Sequence, residues 1–323
     1  MKMGCTLKRG DEMFKGKDVI DVDCFNREEM LHIFQTAKNF KEILTRPIKK
    51  VPALRGKRIC NLFFEPSTRT RISFEIAEKT LSADVTNFSA STSSLKKGES
   101  FKDTILTLSA MGIDMYVIRH SEPGAPLMLK RYTNAMVINA GDGIHAHPTQ
   151  AILDGYTIWE KKKNFESIKI AIIGDISHSR VARSDIKMFR LLGAKVVICA
   201  PYTLLPMAID NYDVIVSRKP EEAIENADVI MGLRMQLERQ TSGLFPSLRE
   251  YNEIFGITQA RMKLAKPDAI LMHPGPINRG VELDSSIADA VYSVIPEQVT
   301  NGVATRMALL YLLFGGVQVE NID

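Results

Sequence analysis

The sequence predicts an α/β protein made of two doubly wound parallel-sheet domains in series. Three observations lead there. Short apolar runs alternate with amphipathic stretches along most of the chain, the rhythm of buried strands and crossover helices. The pattern restarts at Ile168 after a long helical segment. The length of 323 residues, at about 150 per domain, fits two domains. A chain 45% hydrophobic and 25% charged also excludes disorder and collagen-like repeats.

The elements follow in order. Residues 26–45 form a helix with Asn26 as its N-cap. Arg58–Phe64 is a buried strand, and Thr70–Leu81 a helix in which Ile72/Ile76 and Phe74/Ala77/Leu81 recur at helical spacing. Strands at Val85–Phe88, Asp114–Ile118 and Ala135–Asn139 complete the first sheet, with a helix from Phe101 to Gly112 among them. Residues 147–164 form a connecting helix, with Pro148 in its first turn and Lys161–Lys163 at the C-terminal end that favours cations. The second sheet takes strands Ile168–Ile173, Lys195–Cys199, Asp228–Met231 and Ala269–Met272. Its helices are Val181–Leu192, stopped by Gly193, a short one after Pro220, and one from Tyr251 to Leu264. Residues 300–314 form an apolar helix expected to return to the first domain, making two interdomain helices. The expected domains are 1–148 with 300–323, and 149–299.

Net charge is only +4, from 42 Lys and Arg against 38 Asp and Glu, so neither a nucleic-acid nor a membrane surface is expected. Four dispersed cysteines give no CxxC pair, disulfide framework or zinc site. No signal-like or membrane-spanning apolar run stands out, and a cytoplasmic protein is the expectation.

The densest chemical signal is Glu65-Pro66-Ser67-Thr68-Arg69-Thr70-Arg71, between a strand and a helix. Pro66 keeps Glu65 extended, and Ser67 and Thr68 stand at the helix's unpaired N–H groups. Helix N–H groups, hydroxyls and a guanidinium at one point make a phosphate site. It is not a Walker loop, because GxxxxGK[ST] is missing, and Gly174-Asp175 after a strand lacks GxGxxG for a dinucleotide. His145 and His147 have no third ligand nearby, so no metal and no cofactor are expected.

These residues resemble the aspartate/ornithine carbamoyltransferase family. Ser67-Thr68-Arg69-Thr70 with Ser73-Phe74-Glu75 resembles its carbamoyl-phosphate motif. The likeness continues through Ser93–Glu99, Val117–His120, His147-Pro148-Thr149-Gln150, Gly174-Asp175 with Ser179-Arg180, Leu233–Arg239 and His273-Pro274-Gly275-Pro276. The aspartate branch fits better than the ornithine branch, which is expected to carry His-Cys-x-Pro and a Ser-Met-Gly loop. Arg234 and Gln236 stand there instead, and a dicarboxylate acceptor needs two separate cations.

The resemblance implies carbamoyl transfer from carbamoyl phosphate to L-aspartate, in pyrimidine synthesis. It implies that Ser67, Thr68, Arg69, Thr70, Arg119, His147, Gln150, Pro274 and Gly275 bind carbamoyl phosphate, with Thr70, Arg119 and His147 donating to the carbonyl oxygen that gains charge. It assigns aspartate to Lys97, Arg180, Arg234 and Gln236. It further implies a homotrimer in which Ser93 and Lys97 enter the neighbouring subunit's site, and no side-chain general base. His120 and His178 are expected to be structural. Gly275 stands where some members carry leucine, which loosens that loop. Residues 240–256 are expected to form a loop closing over aspartate. Regulatory chains or a dihydroorotase stay open as partners of the trimer. So do two other readings: a different amino-acid acceptor such as ornithine, and a non-catalytic scaffold.

Overall fold

Helix α1 (Arg27–Ile43) starts at a capping box. The Asn26 side chain accepts from the Glu29 N–H, and Glu29 Oε2 accepts from the Asn26 N–H, both at 2.9 Å. The computed structural model describes residues 13–89, 98–236 and 247–316. They divide into unit 1, Met1–Ile152 with Thr300–Asp323, and unit 2, Leu153–Val299.

Unit 1 holds β1 (Arg58–Phe63), β2 (Asp84–Ser89), β3 (Met115–His120) and β4 (Met136–Asp142), parallel throughout and ordered β2-β1-β3-β4. Helices α2 (Thr68–Thr80), α3 (Phe101–Ala110) and α4 (Ala125–Lys130) connect them. The middle strands are buried on both faces, so they read as continuous apolar runs, and Cys60, Leu62, Tyr116, Ile118 and Val137 pack with Ile105 and Leu129. On α2 the two apolar rows part company. Phe74, Ala77 and the capping Leu81 are buried, whereas Ile72 and Ile76 are each 45% exposed, one turn apart on the outer face.

Helix α5 (Pro148–Lys162) leads from unit 1 into unit 2. Unit 2 holds β5 (Lys169–Ile173), β6 (Lys195–Cys199), β7 (Ile215–Ser217), β8 (Val229–Gly232) and β9 (Ile270–Met272), parallel and ordered β7-β6-β5-β8-β9. Its helices are α6 (Arg180–Leu192), α7 (Pro220–Ile224), α8 (Leu248–Phe255), α9 (Gln259–Met262) and α10 (Ser285–Ala288). Ala171, Ile173, Val197, Ile230, Leu271 and Leu283 lie in its core. Helix α11 (Ile295–Leu313) returns the chain to unit 1, where Tyr311 meets Phe40 edge-on at 5.4 Å and the Arg306 guanidinium lies 4.9 Å from the Phe74 ring centre.

The single helix expected from Tyr251 to Leu264 is two. The Gly256 N–H donates to Asn252 O at 2.9 Å and closes the last turn of α8. Ile257 is then drawn into a parallel bridge with Leu283, and Thr258 caps α9 by accepting from the Arg261 N–H at 3.2 Å. Burial of Ile257 in the sheet's core overrides helical propensity there. Strand β7 was not expected: only three residues long at the sheet edge, it offers no period to read.

Both sheets contain a topological switch, where successive connections leave to opposite sides. It lies between β1 and β3 in unit 1 and between β5 and β8 in unit 2. Ligands of open α/β sheets bind at the carboxyl ends of strands at that point.

Candidate active site

In unit 1, the loop after β1 leads into α2 at the switch. Ser67 is the N-cap in extended backbone, φ −159° and ψ 102°, but its side chain makes no capping bond. The first-turn N–H groups of α2 are therefore not capped by that hydroxyl, and the helix dipole adds positive potential. Thr68 and Arg69 are exposed beside this end and Thr70 is buried, its carbonyl accepting from Ser73 Oγ at 3.1 Å.

Arg119 comes from the other side of the switch. The Phe64 N–H donates to Arg119 O at 2.9 Å, which extends the β1–β3 pairing past the end of β1. The β3–β4 register shifts between Ile118 and His120, a local irregularity of the kind that re-aims a side chain. Arg119 Nη2 donates to Glu65 Oε1 and Nη1 to Ala140 O, each at 3.2 Å. An anion arriving at α2 meets a guanidinium already oriented, and competes with the Glu65 carboxylate for it.

His147 and Gln150 stand on the loop and first turn after β4, at 4% and 9% exposure. The loop is organised by buried Asp142. Its carboxylate accepts from the Gly124 N–H at 2.7 Å, Asn139 Nδ2 at 2.8 Å and the Ala146 N–H at 3.2 Å, and His145 Nδ1 lies 3.0 Å away. The His147 carbonyl accepts the Gln150 and Ala151 N–H groups, so Pro148 begins α5 with His147 and Gln150 spaced by one turn. His120 sits against the Phe64 and Phe101 rings, and its Nδ1 accepts from the Glu122 N–H at 2.9 Å. Burial there holds its pKa below the usual histidine range, against the opposing pull of Glu122, Glu65 and Asp142.

Unit 2 repeats the arrangement with side chains. Gly174 follows β5 with φ +141°, and a Cβ on it would lie 2.4 Å from Leu233 O. That close approach brings together the loops after β5 and β8. Asp175, fully buried, spans them: Oδ1 accepts from the His178 N–H at 3.2 Å and lies 2.8 Å from His178 Nδ1, while Oδ2 accepts from the Gln236 N–H at 3.3 Å. Arg180 is the first residue of α6 and only 3% exposed, and Arg234 Nη2 donates to Gln236 Oε1 at 3.0 Å. Two guanidinium groups and an amide thus lie on the two loops that Asp175 ties together.

Pro274 and Gly275 follow β9, half-buried. Gly275 has φ +66°, its N–H donates to His273 Nδ1 at 2.8 Å, and the Gly275–Pro276 bond is cis. Ser93 and Lys97, with Glu238, Arg239 and residues 240–246 of the expected closing loop, lie outside the described residues, while the rest of that loop is not a loop: Leu248–Phe255 is α8, begun by Ser247 accepting from the Glu250 N–H at 3.1 Å. Asp142, Gln298 and Glu282 were not singled out from the sequence, and Asp175 entered only within the Gly174-Asp175 motif, with no role of its own. A signal existed for Asp142 as for Asp175, an aspartate directly after a glycine at a strand's carboxyl end.

Among the described residues, no group of three or more His, Cys, Asp and Glu side chains could hold a metal ion, and no helix is long and apolar enough to cross a membrane.

Comparison with known proteins yields two family matches. Residues 17–160 match the carbamoyl-P binding domain of aspartate/ornithine carbamoyltransferases, and residues 166–313 match their Asp/Orn binding domain. The chain is 53% identical over 300 residues to the aspartate carbamoyltransferase catalytic subunit of Moorella thermoacetica, covering 93% of this chain and 98% of that one. It is 57% identical over 297 residues to that of Caldanaerobacter subterraneus subsp. tengcongensis, covering 92% and 97%. Among solved structures, aspartate transcarbamoylase from Trypanosoma cruzi in complex with carbamoyl phosphate and aspartate is similar with a TM-score of 0.84, 30% identity and coverage of 94% and 98%. Ornithine carbamoyltransferase from Pyrococcus furiosus is similar with a TM-score of 0.82, 30% identity and coverage of 94% and 99%.

Proposed function

The chain belongs to the aspartate/ornithine carbamoyltransferase family, and from that premise we propose that it transfers the carbamoyl group of carbamoyl phosphate to the amine of L-aspartate. The products are N-carbamoyl-L-aspartate and phosphate, an early step of pyrimidine synthesis. The observation that carries the choice of acceptor is the pair of loops joined by Asp175. Arg180, Arg234 and Gln236 give a dicarboxylate two guanidinium groups and an amide, more positive charge than a diamino acid with one carboxylate can use.

In this reading Ser67, Thr68, Arg69 and Thr70 hold the phosphate through the first-turn N–H groups of α2, hydroxyls and guanidinium. Arg119 leaves Glu65 for the phosphate and the carbonyl oxygen, and Thr70 and His147 donate to the same oxygen. Gln150 holds the carbamoyl amide, which donates to the Pro274 and Gly275 carbonyls. The aspartate nitrogen then forms a bond to the carbonyl carbon, and charge builds on the oxygen faced by those donors. As the carbon–oxygen bond to phosphate breaks, the leaving phosphate takes the amine's proton. The protein supplies position and charge, and no side-chain base is required.

The working form is a homotrimer in the cytoplasm, with Ser93 and Lys97 reaching the neighbouring subunit's substrates. The exposed pair Ile72 and Ile76, on the helix that begins with the phosphate motif, supports association through that face.

Labelled carbamoyl phosphate offered with aspartate, ornithine, putrescine or succinylornithine tests the acceptor. Product with aspartate alone is expected, and turnover with ornithine but not aspartate overturns the reading. Sedimentation tests the assembly, since a fully active monomer is incompatible with shared sites.

A further inference from the structure

The Pro274–Gly275 loop is short, and its glycine has lost the stiffness of a side chain, yet its carbonyls have to meet one amide group. Its anchor is His273, whose side chain is completely buried. The Gly275 N–H donates to His273 Nδ1, so the ring's proton is on Nε2, which faces Glu282 Oε1 at 3.3 Å. The Asn278 N–H donates to that same Glu282 oxygen at 2.6 Å, fixing the far end of the loop.

The near end is held by a side chain from elsewhere in the sequence. The His273 N–H donates to Gln298 Oε1 at 2.9 Å, and Gln298 Nε2 donates to Asp154 Oδ1 at 2.7 Å. Gln298 is 3% exposed in the first turn of α11, and Asp154 is fully buried on α5, one turn beyond Gln150. The His273 N–H can only donate, so the orientation of the Gln298 amide is determined: its oxygen faces His273 and its nitrogen faces Asp154. Asp185 on α6, also fully buried, interacts with Asp154. Burial and the neighbouring carboxylate push Asp185 well above the usual range.

We propose that Gln298 is a positioning residue for carbamoyl transfer: aimed by Asp154, its amide holds the His273 backbone and so fixes the Pro274 and Gly275 carbonyls that accept from the carbamoyl amide. The proposal rests on the reading of Pro274 and Gly275 given above. It assigns Gln298 a contribution specific to the NH2 group of the substrate, distinct from phosphate binding and from stability.

Two non-hydrolysable phosphonates separate these effects. Phosphonoacetamide carries the NH2 group and acetonylphosphonate a methyl in its place. The wild-type chain is expected to bind phosphonoacetamide more tightly by about tenfold, the value of one good hydrogen bond. In Gln298→Leu that preference disappears, while affinity for acetonylphosphonate and inorganic phosphate holds. Equal weakening of both phosphonates, or an unchanged preference, overturns the proposal. Gln298→Glu sets carboxylate against carboxylate and loses the preference too. Adding Asp154→Asn to Gln298→Glu reverses donor and acceptor along the same line and restores it, a rescue that keeps the test decisive if Gln298→Leu fails to fold. Absence of rescue in a folded double variant counts against the proposal. A wild-type chain indifferent to NH2 or methyl removes the reading of the Pro274–Gly275 carbonyls as well, and only that result does so.

Discussion

Helices α2 and α6 occupy corresponding places in their sheets, each following the strand at the topological switch and each beginning at a serine, but their N-termini are used in opposite ways. Ser179 caps α6 by accepting from the Ala182 N–H at 3.1 Å, and Arg180 behind it is buried. Ser67 makes no side-chain cap on α2, and Arg69 beside it is exposed. In unit 2 one backbone donor is capped, and the proposed acceptor groups are guanidinium side chains carried by segments that a buried carboxylate ties together. In unit 1 the backbone itself is offered. The difference suits the proposed ligands: phosphate has oxygens enough for a ring of N–H donors, whereas two carboxylates set apart require two separate cations. Each helix also hides a carboxyl on its inner face, Glu78 in α2 and Asp185 in α6, both pushed up by burial.

Removing a donor proposed to face the developing charge should have the largest effect. Arg119→Ala is expected to lower kcat by about 10² to 10³, or ~2.7 to 4 kcal/mol of barrier, with little change in melting temperature. A variant that keeps most of its kcat takes Arg119 away from the carbonyl oxygen.

Glu78 gives an effect of similar size on stability. Asn61 Nδ2 donates to its Oε2 at 2.8 Å, but burial outweighs that bond and pushes the carboxyl from 4.5 up to about 7. The folded chain then holds this proton more tightly than the unfolded one. The contribution is fully present below pH 4.5, is lost as pH rises towards 7, and amounts to about 3 kcal/mol across the window. Glu78→Gln keeps the acceptor and loses the titration, so thermal melts from pH 5 to pH 8 should show a flatter profile and a more stable protein at the upper end. Parallel profiles for the two proteins would show that Glu78 ionises freely.

Arg180→Lys keeps the charge and loses the planar fork. The aspartate KM is expected to rise by roughly ten- to a hundredfold, the value of a charge-assisted hydrogen bond, with phosphate affinity unchanged. An unaltered aspartate KM would place the acceptor elsewhere. The smallest effect sharpens the comparison most. Ser179→Ala should cost about 1 kcal/mol in urea denaturation, while Ser67→Ala should cost a few tenths at most without phosphate. Added phosphate should then stabilise wild type more than Ser67→Ala; equal losses in the two serine variants would erase the contrast between the helices.

Much of this was legible in the sequence because it is local. Strands buried on both faces announce themselves as apolar runs, Asn26 and Glu29 form a capping box three residues apart, and Ser67-Thr68-Arg69-Thr70 is contiguous. Period alone could not say which apolar row of α2 faces inward, since Ile72 and Ile76 recur as regularly as Phe74 and Ala77. The break at Gly256 depends on Leu283, a partner distant in sequence. The groups that hold the site are less visible still. Asp175 reaches the Gln236 backbone and Gln298 reaches Asp154 across separations that no local pattern encodes. The groups expected to touch substrate lie in contiguous motifs, whereas the bonds that aim their segments join residues far apart in sequence.

Gly174 has a consequence for how this chain can diverge. A Cβ there would come within 2.4 Å of Leu233 O and 2.8 Å of Leu233 Cβ, so the gap between two acceptor-side loops is the width of a hydrogen atom. Any larger residue would wedge apart Asp175 and the Gln236 N–H. Arg234 and Gln236, by contrast, are half-buried residues whose side chains meet each other, and a change there leaves the backbone junction in place. A gene duplicate has freedom to change which acceptor it takes, but it inherits the junction at Gly174 unaltered: its selectivity can drift while its frame cannot.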